Sequence, residues 1–83
     1  MIKLWDKVKL VSACGRHVFL GEMRMWGTVG EQGVVIDIYQ GPPIGYEVEI
    51  VDQSGRTVAL VTAIESELEV VESQDEGEGA LRK

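Results

Sequence analysis

The sequence predicts an all-β domain, and three of its features indicate this class. Apolar and polar residues alternate with a period of two along short segments, most clearly from Tyr46 to Ile50. Val, Ile and Tyr are frequent in these segments, as they are in half-buried strands. Turns rich in Gly, Pro or Ser separate the segments, and no segment has the 3.6-residue apolar period of a helix.

Five segments are predicted to be strands, in chain order 7–11, 34–39, 46–50, 57–62 and 68–70. The loop 41–45 contains two prolines, which cannot donate hydrogen bonds to a ladder and therefore separate the second strand from the third. The tight turn 52–56 contains Gly55 and predicts a hairpin between the third and fourth strands. Residues 63–66 are expected to form one helical turn before the last strand.

The strands are expected to close into a small five- to six-stranded antiparallel barrel, because closure removes the exposed edges of a short sheet. Alternation assigns one set of apolar residues to its interior: Val8, Leu10, Val34, Ile36, Ile38, Val48, Ile50, Val58, Leu60, Leu68 and Val70. Residues 13–29, divided by three glycines, are predicted to form a long arm with room for one extra strand.

The chain has 83 residues, which is enough for one domain, and its formal net charge is −6. Residues 1–30 have a net charge of +3 and residues 31–83 a net charge of −9. We predict a barrel domain over 1–72 and a flexible acidic tail over 73–83. The acidic balance makes a nucleic-acid binder an unfavourable interpretation, because phosphate contacts require basic residues.

Localisation is predicted to be cytoplasmic. No apolar stretch reaches the length of about 18 residues that a membrane-spanning helix needs. Lys3, Asp6 and Lys7 interrupt the apolar run that a secretion signal requires. The single cysteine, Cys14, is typical of a reducing compartment and rules out a disulfide within the chain.

Several sequence blocks recur in the order of a known family. They are Asp6-Lys7-Val8-Lys9-Leu10, Gly30-Glu31-Gln32-Gly33-Val34-Val35, Tyr46-Glu47-Val48-Glu49-Ile50 and Gly55-Arg56-Thr57. Over about residues 5–72 the chain resembles small bacterial proteins that are known only as a domain of unknown function. The resemblance implies a Src-homology-3-like barrel without assigned catalytic residues. It also implies an origin in mobile or accessory genes, sometimes beside toxins.

Catalytic and metal chemistry has few candidates in this sequence, and we expect neither an enzyme nor a bound cofactor or metal. Cys14 and His17 are three residues apart, but zinc needs about four ligands and the chain has no second Cys or His. A Cys–His nucleophile pair is the remaining catalytic alternative. Glu47 and Glu49 alternate with apolar residues, as expected for the solvated face of a strand.

The apolar content exceeds what one small barrel can bury, and this surplus predicts an interaction surface. The predicted partner-binding residues are Trp5, Phe19, Met23, Met25, Trp26 and Tyr39. We expect a module that self-associates, as a dimer or a higher oligomer, and binds a protein partner. The plainer alternative is that the arm folds over its own barrel and forms a second small core.

Two other functions stay open at this point. In the first, an antitoxin or immunity protein uses the acidic run from Glu65 to Glu78 to mask a basic effector. In the second, a small nucleic-acid-binding barrel uses Trp5 and Trp26 for stacking beside a basic strip. The strip would consist of Lys3, Lys7, Lys9, Arg16 and Arg24.

Overall fold

The computed structural model describes residues 1–73, which form seven β-strands and one 3-10 turn. The strands are β1 (Lys7–Leu10), β2 (Cys14–Leu20), β3 (Met23–Gly27), β4 (Gln32–Tyr39), β5 (Gly45–Val51), β6 (Thr57–Ile64) and β7 (Leu68–Glu72). The 3-10 turn Glu65–Glu67 lies where the sequence predicts one helical turn. The all-β class is therefore confirmed.

All seven strands belong to one sheet, in the order β2-β3-β6-β5-β4-β1-β7. The pairs β4–β5 and β5–β6 are antiparallel and have the longest registers, so they form the centre of the sheet. β3 pairs with β6 in parallel, which makes the sheet mixed. The arm predicted for 13–29 contains two strands, β2 and β3, and they form an antiparallel hairpin.

The predicted closed barrel of five or six antiparallel strands is wrong in three respects. The sheet has seven strands, one pair is parallel, and the two outermost strands, β2 and β7, do not pair with each other. The hairpin explains the difference, because β3 occupies the free edge of β6 that closure of the sheet would need. The described chain measures 43 × 34 × 19 Å along its principal axes, which is flat for a barrel.

The core lies on one face of the sheet and is built from directly paired residues. Val48 of β5 is paired with Val35 of β4 on one side and with Val61 of β6 on the other, and all three are fully buried. The complete buried apolar set is Ile2, Val8, Leu10, Val35, Tyr46, Val48, Ile50, Ala59, Val61, Ala63 and Leu68. Five members of the predicted interior set are confirmed, namely Val8, Leu10, Val48, Ile50 and Leu68.

The inward-facing residues of β4 and β6 were predicted one position out of phase. Val35, Ala59 and Val61 are not in the predicted interior set and are fully buried. Conversely, the interior assignment fails for Val34, Ile36 and Leu60, which are half-buried, and for Val70, which is exposed, whereas Val58 is half-buried and packs against the core. Ile38 is only half-buried against the core. An uninterrupted apolar run does not show which of its residues face the core. Pairing with β5 therefore decides which side of each strand faces inward.

Residues 1–6 form a strap along β4. The Trp5 amide donates to the Val35 carbonyl oxygen over 2.7 Å, and the Val35 amide donates to the Asp6 carbonyl oxygen over 3.0 Å. Asp6 is buried, and its Oδ2 accepts a hydrogen bond from the Lys3 amide over 2.9 Å. The strap carries Ile2 into the core.

The acidic tail predicted for 73–83 lies, apart from Ser73, outside the described residues. In residues 1–73 no helix is long and apolar enough to cross a membrane.

Candidate functional site

The β2–β3 hairpin is the element that the sequence predicted as a partner-binding arm. Leu20 pairs with Met23 and Phe19 with Arg24 next to the tip, where Gly21 takes a positive φ of 64°. Nearer the base, Gly15 pairs with Trp26, and the register shifts between Gly15 and Phe19. In the strand order the hairpin joins the sheet through the pairing of β3 with β6.

An aromatic cluster covers one face of the hairpin. The His17 ring stacks on the Trp26 ring with centroids 4.9 Å apart and an angle of 11° between the planes. The Phe19 ring meets the same indole edge to face, with centroids 5.0 Å apart. The Arg24 guanidinium lies 5.7 Å from the centroid of the Trp26 ring. Trp26 is therefore the centre of the cluster, and Phe19 remains 63% exposed at its margin.

An ion pair holds this cluster against the sheet. Arg24 binds Glu31 through two hydrogen bonds, Nη2 to Oε2 at 2.7 Å and Nη1 to Oε1 at 3.2 Å. Glu31 Oε1 also accepts from the Thr28 amide, and Arg24 Nη1 also donates to the Trp26 carbonyl oxygen. The guanidinium holds the pKa of Glu31 below its usual value, and the pKa of Arg24 is raised by the same hydrogen bonds.

The two edges of the sheet differ in composition. β2, at one end of the strand order, exposes Val18, Phe19 and Leu20 in succession and has a single charged residue, Arg16. β7, at the other end, exposes the carboxylates Glu69 and Glu72 beside its valines. Charged side chains on an edge strand oppose pairing with another chain, whereas an uncharged apolar edge permits it. The β2 edge is therefore the one open to strand addition.

Four of the six predicted partner-binding residues lie on the hairpin: Phe19, Met23, Met25 and Trp26. The other two lie on different elements. Tyr39 ends β4, and its hydroxyl donates to Glu47 Oε1 over 3.3 Å. The Glu47 carboxylate raises the pKa of this phenol. Within residues 1–73 the ring contacts of the cluster do not extend to Tyr39 or Trp5.

Trp5 has an unusual backbone conformation. It is the single non-glycine residue with a positive φ in the described chain, at 72°, and its side chain is 55% exposed. A left-handed conformation costs an L-residue roughly 1–2 kcal/mol. The strap hydrogen bonds of Trp5 and Asp6 to Val35 hold it there. The result is a large apolar side chain presented to solvent.

The basic strip considered for nucleic-acid binding is partly neutralised. Arg24 is paired with Glu31, and the Lys9 ammonium lies 3.8 Å from Glu69 Oε1. One face of the Trp26 indole, which was to serve for stacking, is covered by His17. These contacts leave less charge and less open aromatic surface than a single-strand binder uses.

Cys14 lies at the base of the hairpin opposite Gly27. Burial, together with the nearby Glu67 and Glu31 carboxylates, raises the pKa of the thiol to about 11. A thiolate is the nucleophilic form of cysteine, so this environment opposes the Cys–His alternative. His17, its supposed partner, is engaged with Trp26. In the described chain, no group of three or more His, Cys, Asp or Glu side chains is arranged to hold a metal ion.

We expect the folded protein to react slowly with iodoacetamide at neutral pH. With a pKa of about 11, Cys14 has a thiolate fraction roughly one hundredth that of an ordinary cysteine. Alkylation followed by mass spectrometry should show the rate rising steeply as the pH approaches 11. Protein unfolded in urea is the control and should react at the ordinary rate. Fast alkylation of the folded protein at neutral pH would contradict this assignment.

Sequence reasoning missed the roles of His17, Arg24 and Glu31 in this site. It considered His17 only as a partner of Cys14 and Arg24 only as part of a basic strip. A usable signal was present, because His17 and Phe19 are two apart, as are Arg24 and Trp26, and residues two apart share one face of a strand. That signal required the arm to be recognised as two strands.

A family model described as a domain of unknown function, DUF4926, matches residues 26–70, which is a little over half of the chain. This match confirms the resemblance to a domain of unknown function, over a shorter range than the residues 5–72 of the sequence comparison, and it does not test the Src-homology-3-like barrel. It begins at Trp26, so most of the hairpin precedes the matched region. No curated protein matches the chain, and no solved structure matches it.

Proposed function

The chain belongs to the DUF4926 family, a domain of unknown function, and we propose that it is a non-enzymatic interaction module that self-associates through the β2 edge and binds a protein partner. The observation that carries this proposal is the contrast between the two ends of the sheet. β2 offers an apolar edge with exposed side chains, whereas β7 is lined with carboxylates. An isolated edge of the first kind favours pairing with another strand.

A second copy of this chain fits the β2 edge. Antiparallel pairing of two β2 strands centred on Val18 places His17 beside Phe19 of the second copy and Arg16 beside its Leu20. Like charges then do not meet, and the aromatic cluster continues across the junction. Because the contact is two-fold symmetric, it closes after two chains and leaves the acidic β7 edges outermost.

Val18→Lys tests this interface, and Val71→Lys is its matched control. Both valines are 48% exposed and both lie on edge strands, but on opposite ends of the sheet. Sedimentation over a wide concentration range should show a self-associating wild type. Val18→Lys should raise the dissociation constant at least about tenfold, since two ammonium groups would then face each other at the symmetry axis.

Val71→Lys should leave the dissociation constant of the pair unchanged. A wild type that remains monomeric at high micromolar concentration would overturn the proposal. Equal weakening by both variants would also overturn it, because that result indicates head-to-tail pairing of β2 with β7 and an open-ended assembly.

An antitoxin or immunity role is the second candidate, and the β7 edge favours it. Glu65, Glu67, Glu69 and Glu72 form the described part of the acidic run that was predicted to mask a basic effector. The remainder of that run, as far as Glu78, lies outside the described residues. A nucleic-acid-binding role stays a prediction, and the pairing of Arg24 and Lys9 with carboxylates gives it no support.

A further inference from the structure

A groove of about 570 Å³ lies on the face of the sheet opposite the core. Its floor is formed by the outward side chains of the three central strands: Ile36, Glu49 and Leu60. Glu49 and Leu60 are directly paired, and both are half-buried. The tip of the β2–β3 hairpin forms one wall with Leu20, Glu22 and Met23, and the turn between β5 and β6 forms the other.

Two irregularities of the sheet lie beside the groove. The parallel pairing of β3 and β6 has one register pair, Arg24 with Ala59. The register of β5 and β6 shifts between Ile50 and Val51, at the same end of β6.

The charges in the groove are unbalanced. Asp52 is committed to its own turn, where Oδ1 accepts from the Ser54 amide, the Ser54 hydroxyl and the Arg56 amide, and Oδ2 lies 3.8 Å from Arg56 Nε. This pair is electrically neutral. Within residues 1–73 no ion pair neutralises the other two carboxylates, Glu22 and Glu49. Glu49 uses Oε2 to accept from the Thr57 hydroxyl over 2.5 Å, and its Oε1 can accept from a ligand.

Apolar surface surrounds these carboxylates. Ile36, Met23 and Leu60 are half-buried, and Leu20 is exposed at the hairpin tip. A ligand that carries apolar groups would bury this surface, and a positive charge on the same ligand would meet Glu22 and Glu49. An acidic ligand would be repelled, and a purely polar cation would leave the apolar floor uncovered.

We propose that this groove is a docking site for a basic, apolar peptide segment of a partner protein, bound in an extended conformation. On the side of an extended segment that faces the sheet, a cationic side chain would meet Glu49 and Glu22, and the apolar side chains on the same side would cover Ile36 and Leu60. The inference rests on the proposed function only in that a protein partner is bound. The groove faces away from the core and shares Leu20, but not Val18, with the β2 edge.

The probe is a hexapeptide with uncharged ends and the sequence Leu-Leu-Lys-Leu-Leu-Lys, in which residues 1, 3 and 5 place Leu, Lys and Leu on one side of the extended chain. Its binding to the full chain is measured by calorimetry, and the binding site is located from amide shifts in two-dimensional NMR spectra. We expect shifts at Met23, Ile36 and Leu60, and weaker binding as salt screens the charges. A peptide with Glu in place of Lys, and another with Ser in place of Leu, should each bind at least about fivefold more weakly.

Paired variants test the carboxylates. The double variant Glu22→Gln with Glu49→Gln should bind the Lys-Leu peptide about fivefold more weakly than the wild type. The glutamine at position 49 can still accept the Thr57 hydrogen bond. Glu65→Gln with Glu72→Gln removes the same net charge from residues outside the groove lining, one in the 3-10 turn and one in β7, and should leave the affinity unchanged. An equal loss of peptide affinity in the two double variants would overturn the proposed site, because peptide binding would then depend on net charge alone.

Two further outcomes would also overturn the site. One is equal affinity for the Glu-Leu peptide. The other is concentration-dependent shifts at Ile36 and Leu60, on the groove floor, without any peptide, which would show that a second copy fills the groove. Repeating the titration with Val18→Lys separates this proposal from self-association: unchanged peptide binding supports the groove whatever the oligomeric state.

Discussion

Replacing Gly33 with alanine is expected to lower the free energy of unfolding by about 3 kcal/mol, through overpacking at the centre of the sheet. Gly33 is buried in β4 between Val8 of β1 and Ile50 of β5. A Cβ at this position would collide with the Glu49 carbonyl oxygen and would lie 2.8 Å from Val48 Cγ1. The carbonyl belongs to the backbone of the neighbouring strand, so relief requires the two strands to separate.

Gly45→Ala is the matched control for this variant. Gly45 is also buried in the sheet, but a Cβ there would meet its nearest atoms at 3.5–3.8 Å, which is ordinary contact. Urea unfolding is followed by tryptophan fluorescence. The free energy of unfolding of Gly45→Ala should differ from that of the wild type by less than about 0.5 kcal/mol, and any gain has a physical reason, because alanine loses less backbone entropy on folding than glycine. Similar losses in the two variants would contradict the close approach at Gly33.

Replacing Leu10 with alanine is expected to cost about 3 kcal/mol by leaving a cavity in the core. Leu10 is 1% exposed, pairs with Leu68 of β7, and lies against Gly27 at the end of β3. It therefore joins the end of the hairpin to the far edge of the sheet. A domain of this size has a total stability of roughly 5–15 kcal/mol, so the loss is a large share of it.

Leu4→Ala is the control, because it also replaces a leucine with alanine. Leu4 is 43% exposed in the strap, so this substitution should lower the free energy of unfolding by less than about 1 kcal/mol. Gly27→Ala supplies a second check, because the added Cβ would collide with Leu10 Cδ1. That substitution should destabilise the Leu10→Ala variant less than the wild type, because the contact with Leu10 is gone and only the 3.1 Å contact with Ile50 Cδ1 is still tight. Additive losses in the double variant would show that the two residues are not packed as described.

The hairpin of β5 and β6 could be predicted from particular residues. Glu47 and Glu49 mark the outward side of β5, and the turn at Gly55 places β6 beside it, so this hairpin was readable from alternation and turn chemistry. The apolar run in β6 has no polar markers between Val58 and Val61. Its phase was therefore decided by pairing with Val48, which alternation within β6 does not reveal.

The candidate site could be predicted only in part. Met and aromatic residues marked the arm as an interaction element, and Phe19 and Trp26 do meet there. Their neighbours His17 and Arg24 were missed because Gly15, Gly21 and Gly27 obscured the two strands of the hairpin. The groove was not visible at all, because Leu20, Ile36 and Leu60 come from three separate strands.

The sequence by itself determined the all-β class, the family membership and the excess of apolar residues over what a small core can bury. Each of these depends on local pattern or on total composition, which the chain carries without reference to its fold. Tertiary structure alone decided where β3 pairs, which kept the sheet open, and which faces of β4 and β6 are buried. Pairing partners are chosen by contacts between residues far apart in the chain, so they are settled when the whole sheet assembles.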